Sequence, residues 1–413
     1  MNKHGSIVFS LLLVLVLTGL GAGVLLRSVN ENKIANRTAN STQAFWLAEA
    51  GVQKTIWEIN NNNCADFVQQ GTSTACVSCS GCGAGNKTMS VSVSGAGDYD
   101  VVLDSGNTLA TSTGSCPSRA SASVIGRTVK ANIVKKSPFS YAAFAQGQVT
   151  LANNTFIDSY NSDNGAYNAG TNSNTNGDVG SNGTTAGIIT IGNNISLGGN
   201  VSTGPGGTDT VGNGTVIAGT TTHDNNVSLP AVTVPAALTG LASGGTFSIG
   251  NNGTSALAAG DYKYSSVNMA NNATLDITGA VRLYLTAATA LSTGNNINVN
   301  IASGASLELY VDGVFTIPNN ATLSSAGNIP KNLQIYSTYT GANGISLNNN
   351  GVLAAAVYAP QTDISIGNND DLFGSVVGKT VAANNNSAIH YDESLKNLLS
   401  PAGSNGVTLW QEI

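Results

Sequence analysis

The sequence predicts a mainly β protein: a long N-terminal α-helix, a small antiparallel sheet and then a parallel β-helix. Three observations predict it: an apolar run near the N-terminus, cysteines among alternating segments, and asparagine pairs that recur along the second half. In chain order we expect a leader at residues 1–5, a helix at 6–60, a cysteine-containing β domain at 61–137, a β-helix at 138–399 and a tail at 400–413.

The composition excludes disorder and nucleic-acid binding. Charged residues make up only 9% of the 413 residues, yet hydrophobic residues reach 41%, whereas disordered chains combine low hydrophobicity with high net charge. Before residue 140 there are eleven Lys and Arg against seven Asp and Glu, and after it five against fifteen. The C-terminal section therefore has no basic surface that could hold phosphates.

The first helix is long and apolar enough to cross a membrane. Residues 6–26 contain no charged side chain, and at about 1.5 Å per residue they span a hydrocarbon core of about 30 Å. A secretory signal would be shorter and would end in a small-residue cleavage site. We expect cleavage between Gly5 and Ser6 instead, which leaves the helix on the mature protein. The residues assigned to a membrane or filament helix are Ile7, Leu12, Leu17, Gly19, Leu26, Phe45, Trp46 and Glu49.

Glycine residues weaken this helix within the span, at Gly19, Gly21 and Gly23, since each costs about 1 kcal/mol relative to alanine. They indicate either a site that unwinds or packs closely in a filament, or simple tolerance inside a bilayer.

The second section combines cysteines with strand patterns. Alternating runs at Met89–Val93, Tyr99–Leu103 and Ser123–Val134 predict three antiparallel strands that could pack on the helix. The cysteines are Cys64, Cys76, Cys79, Cys82 and Cys116.

Disulfides are the favoured interpretation of these cysteines. The spacing Cys76-x-x-Cys79-x-x-Cys82 resembles a metal site, but zinc would need a fourth ligand such as Cys64. Haem attachment needs a CxxCH motif, which is absent. In an oxidising space outside the membrane, disulfides form by default. Five is odd, so one thiol stays free or bridges subunits, and we expect no metal and no cofactor.

Paired asparagines mark an internal repeat. Eight of the ten pairs have an apolar residue two places before the first Asn, as at Leu151 and Ile191, and nine of the ten have an apolar residue four places after it. Successive pairs start 17 to 40 residues apart, with an additional pair at Asn225–Asn226. The first residues of the other pairs, predicted to form a ladder, are Asn153, Asn193, Asn251, Asn271, Asn295, Asn319, Asn349, Asn368 and Asn385.

This repeat predicts a β-solenoid. In extended chain the first Asn shares its parity with the flanking apolar residues, so we expect it to face inward. A buried amide needs a partner, and stacked coils supply one by placing each Asn on the next. Units of about 20 residues that bury a core only when stacked indicate a parallel β-helix. A propeller is the alternative, but its blades of about 40 residues are longer than most of these spacings.

The N-terminal motifs resemble a known family. The run Gly5–Phe9, the Gly19-Leu20-Gly21 break, Glu31 with Asn36, and Ala44–Gly51 are similar to the PilX-type N-terminus of type IV pilus assembly proteins. The resemblance implies a prepilin peptidase that cuts after Gly5, storage in the inner membrane, and assembly with other pilin subunits by the pilus machinery. Major pilins carry Glu at the fifth mature position, whereas this chain has Ser10, which favours a minor or tip subunit.

The C-terminal section also resembles an uncharacterised β-helix-like region that accompanies such N-termini. The matching segments are Pro138–Ala142, Asp158–Tyr160, Gly177–Gly180, Val357–Pro360, Gly374–Lys379 and His390–Glu393. The resemblance implies a pilus-associated protein on the cell surface, with surface glycans or host and abiotic surfaces as partners for adhesion. It brings no catalytic residues.

Two alternatives stay open beside the minor pilin. A membrane-anchored β-helix scaffold would never enter a filament. A carbohydrate-active β-helix enzyme would need paired carboxylates, for which Asp363, Asp370 and Asp371 are the candidates. His390 lies in a His-Tyr-Asp-Glu cluster, which we interpret as closing the last coil before a capping helix at 393–399. We expect that this protein is not an enzyme.

Overall fold

A computed structural model describes residues 3–62, 64–72, 74–79, 82, 85–398 and 404–413. The predicted fold class is confirmed: a long helix, an antiparallel sheet and a large parallel sheet make up the chain. The chain folds into two compact units. The first consists of the residues up to Val134 together with the C-terminal segment Asn405–Ile413, and the second consists of Lys135–Ser404. Met1 and Asn2 of the expected leader lie outside the described residues.

The first unit contains the helix α1 and a six-stranded sheet. Helix α1 covers Lys3–Trp57 and continues as one π-helical turn at Glu58–Asn62. Strands β1 to β5 pair in chain order and antiparallel. They are β1 Val68–Gln69, β2 Lys87–Val93, β3 Gly97–Leu103, β4 Leu109–Cys116 and β5 Ile125–Lys136.

The C-terminal segment adds the sixth strand. Ser404–Glu412 lies beside β5, where the sequence predicted only a tail, and residues 400–403 of that tail lie outside the described residues. Phe45 of α1 contacts Trp410 of this strand, with ring centroids 5.4 Å apart. The strand is therefore part of the first unit, although about 270 residues of the second unit precede it in the chain.

The last third of α1 packs on β3 and β4. Ala44, Ala48 and Val52 are fully buried at this contact. The approach is close because Gly114 of β4 lies against the helix backbone: a Cβ there would sit 1.9 Å from the carbonyl oxygen of Ala44. Gly51 on the helix similarly leaves room for Ser112.

The second unit is a parallel β-helix with three flat faces, called A, B and C in the order in which each coil passes through them. Two long strands, Val352–Ile366 and Asp371–Ala383, turn through all three faces. The other strands of face A are Val149–Leu151, Ile189–Ile191, Asp209–Val211, Thr246–Ile249, Ser266–Met269, Thr289–Thr293, Val314–Ile317 and Ile345–Leu347.

Faces B and C repeat the arrangement. Face B contains Phe156–Tyr160, Ser196–Leu197, Val216–Ile217, Thr254–Leu257, Thr274–Ile277, Asn298–Ile301, Thr322–Ser325 and Ala388–Asp392. Face C contains Ala143–Ala145, Val179–Ser181, Val201–Ser202, Thr221–Thr222, Gly260–Tyr264, Ala280–Leu285, Ser306–Val311 and Leu333–Ser337. Short helices lie at Ser162–Asn164, Ala236–Thr239, Pro330–Asn332 and Glu393–Asn397. The last of these corrects the capping helix expected at 393–399.

The coils do not stack in chain order. The coil that contains Thr246 stands at one end, and the stack rises through the C-terminal coils to Ala388–Asp392. There the first strands of the unit join it, because Ala388–Asp392 pairs in register with Phe156–Tyr160. The stack then continues through the coils of residues 189–202 and ends with that of residues 209–222.

A strap at residues 223–245 joins the two ends of the stack. Ten coils at about 4.8 Å per coil make a stack about 45 Å tall, within reach of 23 residues. The strap follows face C: the Tyr358 hydroxyl donates to the Pro230 carbonyl (2.7 Å), and Lys263 Nζ donates to the Thr239 carbonyl (2.7 Å). Its apolar side chains cover a row of tyrosines in register, Tyr284, Tyr310, Tyr336 and Tyr358.

This strap corrects one part of the predicted repeat. The pair Asn225–Asn226 lies in the strap, and the ladder position after Asn193 is Asn213, 20 residues on. The 40-residue spacing from Asn153 is confirmed as a longer connection, since the chain leaves the coil between Tyr160 and Val179.

Candidate functional site

The N-terminal part of α1 presents an apolar surface on all sides. Within the described residues, α1 is the one helix long and apolar enough to cross a membrane by length and composition, and its most apolar window has a mean hydropathy of 2.1 and no buried residue. Leu12, Leu17 and Leu26 are each 58% to 66% exposed. No atom lies within 4 Å of a Cβ built on Gly19. The backbone of Gly5, Ser6 and Ile7 is helical, but their side chains lie outside the described residues.

The remaining helix residues singled out by the sequence lie where α1 meets the sheet. Phe45 is half-buried between Trp46 and Trp410, with ring centroids 5.5 and 5.4 Å away. Trp46 is 60% exposed, and Glu49 is half-buried. These three residues therefore lie near the start of the last third of α1, which packs in the first unit.

Four of the cysteines form disulfides, as predicted. Cys64 bonds to Cys79, and Cys76 bonds to Cys82. Cys116 is a buried thiol, and burial raises its pKa. Among the described residues no group of three or more His, Cys, Asp or Glu side chains is placed to hold a metal ion.

The asparagine pairs form the corner between faces A and B. The flanking apolar residues, such as Leu151 and Ile157, face the core as predicted, but the first Asn of each pair does not: Asn153 is exposed. The reason is local. The second Asn takes a left-handed conformation, with φ of 59° at Asn154 and 57° at Asn272, and this turn takes the pair out of the strand's inward–outward alternation.

The ladder exists on the surface of this corner and uses both asparagines. Each second Asn donates its backbone N–H to the carbonyl of a first Asn in the next coil, as Asn272 does to Asn295 (3.0 Å). The first Asn accepts through its side chain: Asn295 N–H donates to Asn271 Oδ1 (2.8 Å). Amide-to-amide bonds join the second residues, as from Asn296 to Asn272 (3.1 Å). The corner therefore stabilises the stacking of one coil on another.

All nine predicted ladder residues occupy this corner, and their bonding differs in detail. Side-chain oxygens of Asn153, Asn193, Asn251, Asn271 and Asn349 accept a backbone N–H from the next coil. The backbone carbonyls of Asn319, Asn368 and Asn385 accept from Asn296, Asn350 and Asn369.

His390 belongs to the seam where the two ends of the second unit's chain join. Its Nδ1 lies 2.7 Å from Asp158 Oδ1, and the Tyr167 hydroxyl donates to Asp158 Oδ2 (2.8 Å). The rings of Tyr167 and Phe373 lie 4.0 and 4.8 Å from the His390 ring. His390 is 7% exposed. The cluster is therefore a buried, hydrogen-bonded contact that holds the two strands of the seam together.

Neighbouring bonds extend the seam. The Tyr391 hydroxyl donates to the Phe139 carbonyl (2.8 Å). Glu393 accepts bonds from Asn176 and Ser159 (both 2.8 Å). Burial alone would raise the pKa of Glu393, but these donors and Asn174 outweigh it and lower that pKa. The segments that resemble the β-helix-like region, Asp158–Tyr160 and His390–Glu393 among them, thus include the two sides of the seam.

The candidate carboxylates do not share one surface. Asp363 lies on face A and accepts from Thr380 Oγ1 (2.7 Å). Asp371 is exposed on face B. Asp370 is fully buried in the corner between them, where its Oδ1 accepts from Gly351 N–H (2.6 Å) and burial raises its pKa to about 7.

Several residues that hold the molecule together have no strong sequence signal. The sequence around Gly51 and Gly114 does not show that glycine is needed there, because the need arises only from the close packing of the helix on the sheet. The four tyrosines of face C are 22 to 26 residues apart, a period that is visible only once the coils are aligned. Asn213 follows the ladder pattern but is succeeded by Gly214 instead of a second Asn.

Comparison with known proteins gives distant similarities. Residues 205–398 match a family described as a domain of unknown function (DUF7305), and no curated protein matches. Among solved structures, the chain is similar to an ice-binding protein from the Antarctic ascomycete Antarctomyces psychrotrophicus, at 16% identity and a TM-score of 0.30, over 61% of this chain and 94% of that one. It is also similar to the competence-associated pilin ComZ from Thermus thermophilus, at 12% identity and a TM-score of 0.26, over 91% and 98%.

Proposed function

We propose that this protein is a minor pilin-like subunit of a bacterial type IV pilus or a related filament, and that its β-helix acts in surface adhesion or filament capping. The observation that carries the proposal is the division of α1. Its last third packs on the sheet of its own unit, whereas residues 11–26 expose leucines and valines on every side. An apolar helix surface of this kind needs a bilayer or other helices around it.

The two environments would follow each other in time. Before assembly the apolar half of α1 would lie in the inner membrane, since about 20 apolar residues cross a bilayer. After a prepilin peptidase removes residues 1–5, the same surface would pack against the helices of neighbouring pilin subunits. The partners are therefore other pilin subunits, the assembly machinery and the peptidase.

We propose no catalytic role and no cofactor for the β-helix. The carboxylates that an enzyme would use are divided between two faces and a buried corner, and His390 is held within the seam. Ten stacked coils with a continuous core instead suit a stiff body displayed at the cell surface, where surface glycans or host and abiotic surfaces would be its targets.

Retention of the leader tests this proposal. We expect that Gly5→Leu blocks cleavage and leaves the protein in the membrane fraction, so that sheared filaments lose it. Asn2→Ala alters the same leader without touching the cleavage site and should be incorporated normally. Normal incorporation of uncleaved Gly5→Leu protein would contradict the proposal.

A membrane-anchored scaffold is the second candidate, because the same exposed helix fits a bilayer permanently. It would keep its N-terminal Met and would be found only in membranes, in cells with and without pili. Detection of the labelled protein on the surface of piliated cells, and its loss from cells that lack pili, would exclude the scaffold.

A further inference from the structure

The two ends of the β-helix differ in how they protect their strand edges. At the end formed by residues 246–264, the strands Thr246–Ile249, Thr254–Leu257 and Gly260–Tyr264 pair on one side only, with the coil above them. At the opposite end the same holds for Asp209–Val211 and the two strands that follow it. We call these the 246 end and the 209 end.

The 209 end carries two features that oppose edge pairing, although Val211 and Val216 are 49% and 65% exposed there. Its strands are only three, two and two residues long. Asp209 also occupies an inward position, in register with Ile189 and Val149 of the coils beneath it. Very short edge strands and inward-pointing charges are devices by which proteins stop sheets from joining edge to edge.

The 246 end has neither feature. Its strands are four, four and five residues long. The position equivalent to Asp209 is Phe247, and the ring of Phe247 lies 5.2 Å from that of Tyr264. Tyr262 stacks on Tyr264 at 6.4 Å. These half-buried aromatic rings cover the end of the core and leave an apolar, uncharged centre.

The backbone groups at the 246 end are oriented toward a missing coil. In the coil above, Ala270 N–H donates to Ile249, Asn271 N–H to Asn251 Oδ1, and Thr274 N–H to Gly253. The equivalent groups at the end are the N–H groups of Gly250, Asn251 and Thr254, and no described residue accepts from them. Unpaired edge groups of this kind are a template for another chain.

We propose that the 246 end binds the 246 end of a second copy of this chain, as a two-fold dimer. A single added strand would cover the strand edge of only one face. A second coil would cover the strand edges of all three faces and also the aromatic centre. The 209 end is protected, so the matching coil is the 246 end itself. The outward side chains of this strand are compatible with a two-fold pairing: Asp261, which pairs with Arg282 of its own chain, and Lys263, which donates to the Thr239 carbonyl, flank Tyr262. Antiparallel pairing about Tyr262 places each Asp261 opposite the other copy's Lys263, which is a favourable cross-strand pair.

Hydrogen exchange of the full chain in detergent tests this proposal against its alternatives. We expect peptides that cover residues 246–264 to become protected as protein concentration rises, while peptides that cover residues 209–222 do not change. Protection that increases at both ends would mean head-to-tail stacking and would overturn the two-fold dimer. Protection at neither end would overturn any pairing of coils.

A matched pair of substitutions separates this contact from association through α1. Pro318 and Ala270 occupy the position of Gly250 in other coils, so the fold accepts both residues there. Gly250→Pro removes an outward N–H and should abolish the concentration-dependent protection, whereas Gly250→Ala should retain it. Unchanged protection in Gly250→Pro, with normal exchange in residues 352–366, would contradict the proposal.

Discussion

The two units of this protein are stabilised in different ways. In the first unit the stabilising contacts are individual and do not repeat: one helix packed on the sheet, two different disulfides, and close approaches such as those at Gly51 and Gly114. In the second unit the same contacts recur from coil to coil, whereas the seam and the strap each occur once. A repeated structure spreads its stability over many equivalent contacts, so single substitutions should matter most in the first unit and at the seam.

The two units also have separate spectroscopic signals. All three tryptophans, Trp46, Trp57 and Trp410, belong to the first unit, whereas eleven of the twelve tyrosines belong to the second. Tryptophan fluorescence therefore follows the unfolding of the first unit, and tyrosine circular dichroism follows mainly that of the second. Each prediction below uses the signal of the unit that is changed.

The largest effect is expected at the seam. Asp158→Ala leaves the buried His390 and the hydroxyl of Tyr167 without their shared partner, which should lower the free energy of unfolding of the second unit by about 3 kcal/mol. Tyrosine circular dichroism during denaturation measures it. Asp163→Ala, which removes an exposed pair with Lys331, is the control and should cost less than about 1 kcal/mol. Equal losses of unfolding free energy in Asp158→Ala and Asp163→Ala would show that the seam contributes no more stability than an exposed ion pair.

The close approach in the first unit should be almost as sensitive. Gly114→Ala forces a methyl group against the backbone of α1 at Ala44, and we expect a loss of about 3 kcal/mol because the helix must move away from β4. Tryptophan fluorescence during denaturation measures the loss. The control is Gly126→Ala on β5, where the nearest atom to the new Cβ lies 3.8 Å away. If both variants unfold like the parent protein, the packing of α1 on β4 is incorrect.

Stability of the second unit should depend on pH through Asp370. Burial raises the pKa of this carboxyl from 3.8 to about 7, so the folded state holds a proton that the unfolded state releases. Stability is then present in full at low pH and is lost as the pH rises from about 4 to about 7, by about 2 kcal/mol or more.

Substitution isolates this pH dependence. Asp370→Asn should flatten the profile and stabilise the second unit at pH 8, measured by tyrosine circular dichroism. Asp224→Asn, at an exposed position in the strap, should leave the profile unchanged. Stability that rises between pH 5 and pH 7 in the parent protein, and equally in Asp370→Asn, would contradict the assignment.

The smallest effect is expected at a single step of the ladder. Asn272 has φ of 57° and donates to Asn252 Oδ1 at 3.0 Å. Both Asn272→Ala and Asn272→Gly lose this bond and the one that Asn272 accepts from Asn296. Alanine keeps a Cβ in the left-handed region without the polar side chain that lets Asn tolerate it, whereas glycine has no Cβ and adopts this conformation freely. We expect the alanine variant to be less stable than the glycine variant by about 1 kcal/mol. The melting temperature of the second unit measures the difference, and identical values would show that the turn geometry is not limiting.

The difference between the units also explains what the sequence could predict. Periodic apolar residues such as Leu151 and Ile157 report directly which side of a strand is buried, so the β-helix could be predicted from the sequence. The orientation of Asn153, which is exposed, could not be predicted from the inward–outward alternation of a strand, because that alternation assumes extended backbone and the left-handed Asn154 interrupts it. The order of the coils could not be predicted either, since the asparagine pair recurs in most coils and does not identify which coil lies next to it.

In the first unit the failures have another cause. Strand β4 was missed because Leu109–Cys116 is rich in Ser, Thr and Gly and has no apolar alternation. The strand Ser404–Glu412 follows a whole domain, so no local pattern shows that it returns to β5. The disulfides could be predicted as a class from the cysteine content, but the pairing of Cys64 with Cys79 depends on tertiary structure.

The most direct test of the account is the N-terminus of the native protein in sheared filaments and in membranes. Mass spectrometry should find a chain that begins at Ser6 and keeps α1 in the filament fraction, and uncleaved chains only in membranes. A filament fraction without the protein, or a mature chain that begins after Leu26, would contradict the central claim that the exposed helix is retained and packs into a filament.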